Sequence, residues 1–175
     1  MNNKLSFMTL SAVIVLASCG NDDKTTVRTI AMERTKILNF GSVGTSSIMR
    51  VMQEAIRLTD GTVSKLLYSR SAERGRDFAQ SEGIPESCDS YDAMLARNDL
   101  DVIYIASPNR FHTDQALKAL NAGKHVIVEK PTAVTAEEVR TLYEAANANH
   151  VFFFEAITTL FMPNFLACKQ LLSQL

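Results

Sequence analysis

The chain has 175 residues, a formal net charge of −1 and 46% hydrophobic residues, enough to bury the core of one globular domain. So even a charge balance offers no electrostatic case for binding nucleic acid or an acidic membrane surface. Cys19, Cys88 and Cys168 lie far apart with no CxxC pair or His/Cys cluster, so neither a disulfide framework nor a metal site is expected.

In chain order, residues 1–19 read as a leader outside the fold. Lys4 is a minimal basic start, and the apolar stretch 5–16 is too short for a comfortable membrane span. It closes on Leu16-Ala17-Ser18-Cys19, which resembles the lipobox of bacterial lipoproteins, where the cysteine is lipidated and becomes the new N-terminus. The alternatives are a chance apolar leader or translation from Met32. Residues 20–35 are polar without periodicity and read as a tether.

Residues 36–43 read as the first strand, followed by the turn Gly44-Thr45-Ser46-Ser47. A helix over 48–58 has Ile48, Val51, Met52, Ala55 and Ile56 at helical spacing. A strand, glycine turn and helix in this order place a pyrophosphate against backbone N–H groups at the helix N-terminus. Only the first glycine of a GxGxxG pattern is present, with Ser46 at the second position and Met49 at the third. A plain N-cap by Ser46 or Ser47 is the competing reading.

The second strand spans 62–69. An NAD-binding fold usually has an acidic residue at its end to hold the ribose 2′-hydroxyl. Here Ser69, Arg70 and, one helical turn on, Arg74 stand instead. Guanidinium groups pair bidentately with phosphate, so NADP(H) is favoured, with NAD(H) as the alternative. A solvated basic helix start is the bland reading.

A helix over 72–82, a loop containing Pro85 and a short helix over 91–97 come next. Residues 102–106 form an apolar, β-favouring run that reads as a strand buried on both faces. Ser107-Pro108-Asn109 ends it. A helix with Phe111, Ala116, Leu117 and Leu120 near one face stops at Gly123, and 125–128 form the next strand. Two buried strands joined by a helix make a right-handed βαβ unit in a parallel sheet. Ligands bind beyond the carboxyl ends of such strands. One loop there carries Ser107, Asn109 and His112, the other Glu129 and Lys130. Residues 135–149 read as a helix with Thr135 at its N-cap and Glu137 and Glu138 in the first turn. An apolar strand over 151–154 and a helix over 163–175 complete the chain.

The motifs Gly44-Thr45-x-x-Ile48, Ser69-Arg70-Ser71, Ala106-Ser107-Pro108-Asn109-x-x-His112, Ala122-Gly123-Lys124-His125-Val126, Glu129-Lys130-Pro131 and Glu155-Ala156 occur in this order. Together, over about residues 36–163, they resemble the Gfo/Idh/MocA oxidoreductases. The Ser-Arg and Glu-Ala segments are most similar to the dihydrodiol and xylose dehydrogenase branch. The resemblance implies a doubly wound parallel α/β sheet, the Rossmann NAD(P)-binding fold, over residues 36–156. It implies a second α/β domain in full-length members, with residues 157–175 as its start and the remainder beyond this chain.

The implied chemistry is hydride transfer to or from a hydroxyl-bearing carbon of a sugar, cyclitol or diol. Lys130 matches the family's active-site lysine. The implied cofactor contacts are Gly44, Thr45, Ser46, Ser47, Ile48, Ser69, Arg70, Arg74, Ser107, Pro108, Asn109, His112, Glu129, Lys130 and Pro131. Glu129 is expected to be structural or to face the cofactor rather than to act as an acid. His125 is expected within its strand and His150 in a surface turn. The family's acid/base residue would lie past Leu175. With no second domain, Phe152, Phe153, Phe154 and the last helix would be partly uncovered, which points to self-association into a homo-oligomer. A non-catalytic nucleotide-binding fragment and a lipid-anchored binding protein are the alternatives. The cofactor argues for the cytoplasm, and the leader for a membrane anchor through Cys19.

Overall fold

A computed structural model describes residues 37–174. The leader, the lipobox cysteine and the tether lie outside the described residues. Six strands form one all-parallel sheet: β1 (Leu38–Val43), β2 (Thr62–Tyr68), β3 (Glu86–Cys88), β4 (Val102–Ile105), β5 (His125–Val128) and β6 (Phe153–Glu155). Their spatial order is β3-β2-β1-β4-β5-β6, and all the pairings are parallel. The order reverses between β1 and β4, which makes the crevice beyond their carboxyl ends the topological switch point of a doubly wound sheet.

Helices cover both faces, as parallel strands require. They are α1 (Ser47–Leu58), α2 (Ala72–Glu82), α3 (Tyr91–Leu95), α4 (His112–Asn121) and α5 (Ala136–Ala148). A further helix, α6 (Pro163–Leu172), follows β6 and buries none of its residues. Met49 and Ile56 of α1 and Phe78 and Ala79 of α2 pack with Phe40, Leu67 and Tyr104 on one face. Met94 of α3, Leu120 of α4 and Leu142 of α5 pack with Ile103, Ile105 and Val126 on the other. All four residues of β4 are buried, as its unbroken apolar run requires.

Several local expectations change. The buried face of α1 is Met49, Gln53 and Ile56, whereas Ile48 and Val51 are exposed and so is Ala55. Gln53 sits in the core because its amide donates to the buried Ser42 hydroxyl, at 2.9 Å. A polar residue thus holds a position that apolar periodicity assigns elsewhere. β3 is a three-residue edge strand, too short and too polar to show a pattern. α3 ends at Leu95 rather than at 97, and the Arg97 side chain turns back to Glu86 and Asp99. β6 begins at Phe153 and takes in Glu155. A one-turn 3₁₀ segment, Asn109–Phe111, precedes α4.

Other expectations hold locally. Thr135 and Glu138 form a reciprocal capping box on α5. Gly123 takes a φ of 72° at the α4 stop. His125 lies in β5, accepting the Phe152 N–H at 3.0 Å. His150 is exposed in the turn after α5. The buried Lys124 donates to the carbonyls of Arg97 and Leu100, at 2.6 and 3.0 Å. The lysine of the Gly-Lys-His-Val motif is thus an internal strut. Among the described residues, no helix is long and apolar enough to cross a membrane.

Candidate functional site

The carboxyl edge of the sheet is built first by the turn after β1. Gly44 has a φ of 103°, and a Cβ there would lie 2.8 Å from the Ala106 carbonyl oxygen. Only glycine combines that backbone with that approach. Ser46 takes the N-cap position of α1 without a side-chain cap bond. Its hydroxyl donates instead to the Ala106 carbonyl, at 3.2 Å. Ser46 therefore ties the turn to the end of β4, and a glycine there would lack that tie. The first turn of α1 carries no acidic residue, so its positive helix end is not neutralised locally. Met49, at the third motif position, is fully buried beneath it.

The basic loop after β2 adjoins this turn. Ser69 is nearly buried, and its hydroxyl accepts the Ser71 N–H at 3.4 Å. Gly75 lets α2 come close, since a Cβ there would meet the Ser69 Cβ at 3.1 Å. Ser71 caps α2 by accepting the Arg74 N–H. The Arg74 guanidinium donates to the Thr45 hydroxyl at 3.3 Å, so residues 29 apart in sequence meet. Thr45, Arg50 and Arg74 line a cleft between α1 and α2. The Arg70 guanidinium lies 4.9 Å from the centroid of the Phe111 ring, and that of Arg110 lies 4.7 Å from it. Both distances suit a cation–π contact.

The loops after β4 and β5 meet at His112, which is 1% exposed. Its Nε2 lies 2.8 Å from the Ser107 carbonyl oxygen and its Nδ1 2.8 Å from that of Pro131. The Ser107 hydroxyl donates to the Gln115 side-chain oxygen at 2.6 Å. Pro108 and Asn109 are exposed at the rim. Glu129 accepts the Tyr104 hydroxyl at 2.7 Å and the Lys130 N–H at 3.3 Å. Burial first, and then the bond to Glu129, raise the Tyr104 phenol well above its ordinary range. Lys130 is exposed, and the Lys130–Pro131 peptide is cis. Its ammonium has no ion-pair partner among the described residues.

The residues singled out from the sequence therefore gather in two groups on this edge. Gly44, Thr45, Ser46, Ser47, Ile48, Ser69, Arg70 and Arg74 lie around the ends of β1 and β2. Ser107, Pro108, Asn109, His112, Glu129, Lys130 and Pro131 lie around the ends of β4 and β5. Sequence reasoning did not place Tyr104, Arg110, Phe111, Gln115 or Glu155 here. Tyr104 and Phe111 read as apolar core. Gln115 carried one weak signal, a polar residue on the buried face of α4.

A fold of this order, with such a glycine turn at its switch point, defines a dinucleotide-binding α/β domain. The chain belongs to the Gfo/Idh/MocA oxidoreductase family with an NAD-binding Rossmann fold, whose profile matches residues 38–156. It is 38% identical over 135 residues to the scyllo-inositol 2-dehydrogenase (NADP(+)) of Bacillus subtilis, covering 77% of this chain and 41% of that protein. It is 38% identical over 106 residues to the trans-1,2-dihydrobenzene-1,2-diol dehydrogenase of Xenopus laevis, covering 61% and 32%. Among solved structures, the 3-ketoreductase KijD10 of Actinomadura kijaniata, in complex with NADP and TDP-benzene, superimposes with a TM-score of 0.73. Its sequence identity is 26%, over 78% of this chain and 42% of that one. A levoglucosan dehydrogenase in complex with NADH and levoglucosan gives a TM-score of 0.73 at 25% identity, over 78% and 39%. The chain thus spans about two fifths or less of the length of these relatives.

Proposed function

We propose that this chain is the nucleotide-binding part of an NADP(H)-dependent oxidoreductase acting on a hydroxyl-bearing carbon of a sugar, cyclitol or diol. The observation that carries the reading is the pairing of the Gly44 turn with Arg74 through Thr45, with Arg70 on the same basic loop held over the Phe111 ring. The residues present fit a dinucleotide: the Gly44 turn packs against the Ala106 carbonyl as only glycine can, and the first turn of α1 carries no acidic residue to repel a pyrophosphate. Thr45, Ser46, Ser47 and Ile48 would hold the pyrophosphate by backbone N–H groups at the start of α1, with Gly44, whose own N–H donates to the Tyr68 carbonyl at 3.0 Å, shaping the turn. Ser69, Arg70 and Arg74 would hold a ribose 2′-phosphate, which guanidinium forks recognise bidentately. Ser107, Pro108, Asn109, His112, Glu129 and Pro131 would line the path to the nicotinamide end.

When bound, the nicotinamide supplies hydride chemistry at its ring. Lys130 would hold the substrate hydroxyl and stabilise negative charge as its proton leaves. Glu129 already accepts the Tyr104 hydroxyl and serves the loop rather than proton transfer. The NADP(+)-dependent scyllo-inositol 2-dehydrogenase of Bacillus subtilis and the NADP complex of KijD10 support the cofactor choice.

Calorimetric titration of NADPH and NADH into the full chain tests the reading, with Arg70→Ala beside it. NADPH is expected to bind at least about tenfold tighter than NADH, and Arg70→Ala to remove that preference, as loss of one charge-assisted phosphate contact requires. Equal binding of the two, or an equal effect of the substitution on both, overturns the NADP(H) assignment. Binding of neither overturns the function.

A further inference from the structure

We infer that Glu155 is a positioning residue for Lys130, working with His112 and Tyr104 as a three-point clamp on the loop after β5. The inference rests on the function proposed above for its purpose, but the clamp itself is a property of the chain. Lys130 is exposed on a segment outside helix and strand, where a long side chain on a free loop would sample many positions. Its neighbours are nevertheless tied to three different elements.

The Glu129 side chain accepts from Tyr104, in β4, at 2.7 Å. The Pro131 carbonyl oxygen lies 2.8 Å from Nδ1 of His112, at the start of α4. The Thr132 N–H donates to Glu155 Oε1, in β6, at 2.9 Å. A weaker contact, from the Thr113 hydroxyl to the Thr132 carbonyl at 3.4 Å, lies beside these.

The sheet explains how Glu155 reaches the loop. β5 and β6 pair in parallel with Val128 opposite Glu155, and the Ala156 N–H donates to the Val128 carbonyl at 2.8 Å. Glu155 therefore stands beside the last residue of β5, and its carboxylate meets the Thr132 amide where the chain turns back. A carboxylate that accepts a backbone N–H makes a strong, directional bond. Thr132 is itself buried, so its amide requires a partner there. On the far side, the buried His112 ring sits between the Pro131 and Ser107 carbonyls, 2.8 Å from each, and its N–H donates to one of them. The loop after β4 and the loop after β5 are thus held in one arrangement around Lys130.

The test uses the nucleotide-free full chain and two probes. Amide hydrogen exchange at Lys130 and Thr132 is expected to rise about tenfold or more in Glu155→Ala, as loss of one charged hydrogen bond implies. It is expected to stay at the original rate in Glu155→Gln, whose amide oxygen still accepts. The first probe, NADPH, carries the fluorescent dihydronicotinamide; the second, 2′,5′-ADP, carries the adenosine half only. Glu155→Ala is expected to reduce the fluorescence change on NADPH binding and leave 2′,5′-ADP binding intact, with Glu155→Gln restoring the signal. Unchanged exchange in Glu155→Ala overturns the clamp. Parallel loss of both probes, or an unchanged NADPH signal, overturns its link to the nicotinamide end. If the unsubstituted chain binds neither probe, the proposed function falls, while the exchange measurement still decides the clamp.

Discussion

Gly44 is the residue whose identity is most tightly dictated by its surroundings. Its positive φ and the 2.8 Å approach to the Ala106 carbonyl act together, and the opposing atom is backbone, which cannot rotate away. Gly44→Ala is expected to cost about 1–3 kcal/mol, the usual range for a residue held in a sparsely populated conformation against a close contact. Chemical denaturation reads this directly, and an unchanged midpoint would mean that the turn can relax. The glycine was legible in the sequence as the first glycine of a strand–turn–helix pattern. Its neighbours were less legible. Ser46 occupies the N-cap but spends its hydroxyl on Ala106, a carbonyl 60 residues away that no local pattern announces.

At the scale of elements, β3 and the turn after α3 are joined by charge. Arg97 pairs with Glu86 at 2.6 Å and with Asp99 at 2.6 Å. Its hydrogen bonds hold the Asp99 carboxyl down at about 2 and lower that of Glu86 too. Both folded-state values are depressed, so the unfolded chain binds more protons as acid is added. The stabilisation is therefore complete above the ordinary carboxylate range and is lost as the pH falls from about 4 towards about 2. All three groups face solvent, so the effect is small and weakens with salt. Arg97→Ala is expected to flatten the acid limb of stability, measured by urea midpoints at several pH values. An unchanged acid limb would show that the network contributes nothing. The short strand escaped sequence reading because three residues at a sheet edge, only Cys88 of them apolar, are too few to show a period. The Thr135 capping box was legible because all its members lie within one turn.

For the whole molecule, the exposed apolar side chains after β6 predict behaviour in solution. Phe161 is 70% exposed and Leu172 69%, and Leu171 of α6 is exposed as well. Such side chains favour association. The chain is expected to self-associate with rising concentration, and Leu171→Glu with Leu172→Glu to shift it towards monomer in sedimentation experiments. A purely monomeric parent chain would refute this. By itself, the sequence determined the apolar runs that become strands, the alternation of strand and helix, the glycine turn and the residues offered at the sheet's carboxyl edge. All of these depend on neighbours within a few positions. Only the tertiary structure decided which α1 face is buried, since Gln53 needed Ser42 as a partner. It alone decided that Arg74 reaches Thr45, that His112 bridges two loops, and that Glu155 holds the segment bearing Lys130. Those contacts join residues up to 29 positions apart. Sheet order and register set such distances, and no period in the sequence encodes them.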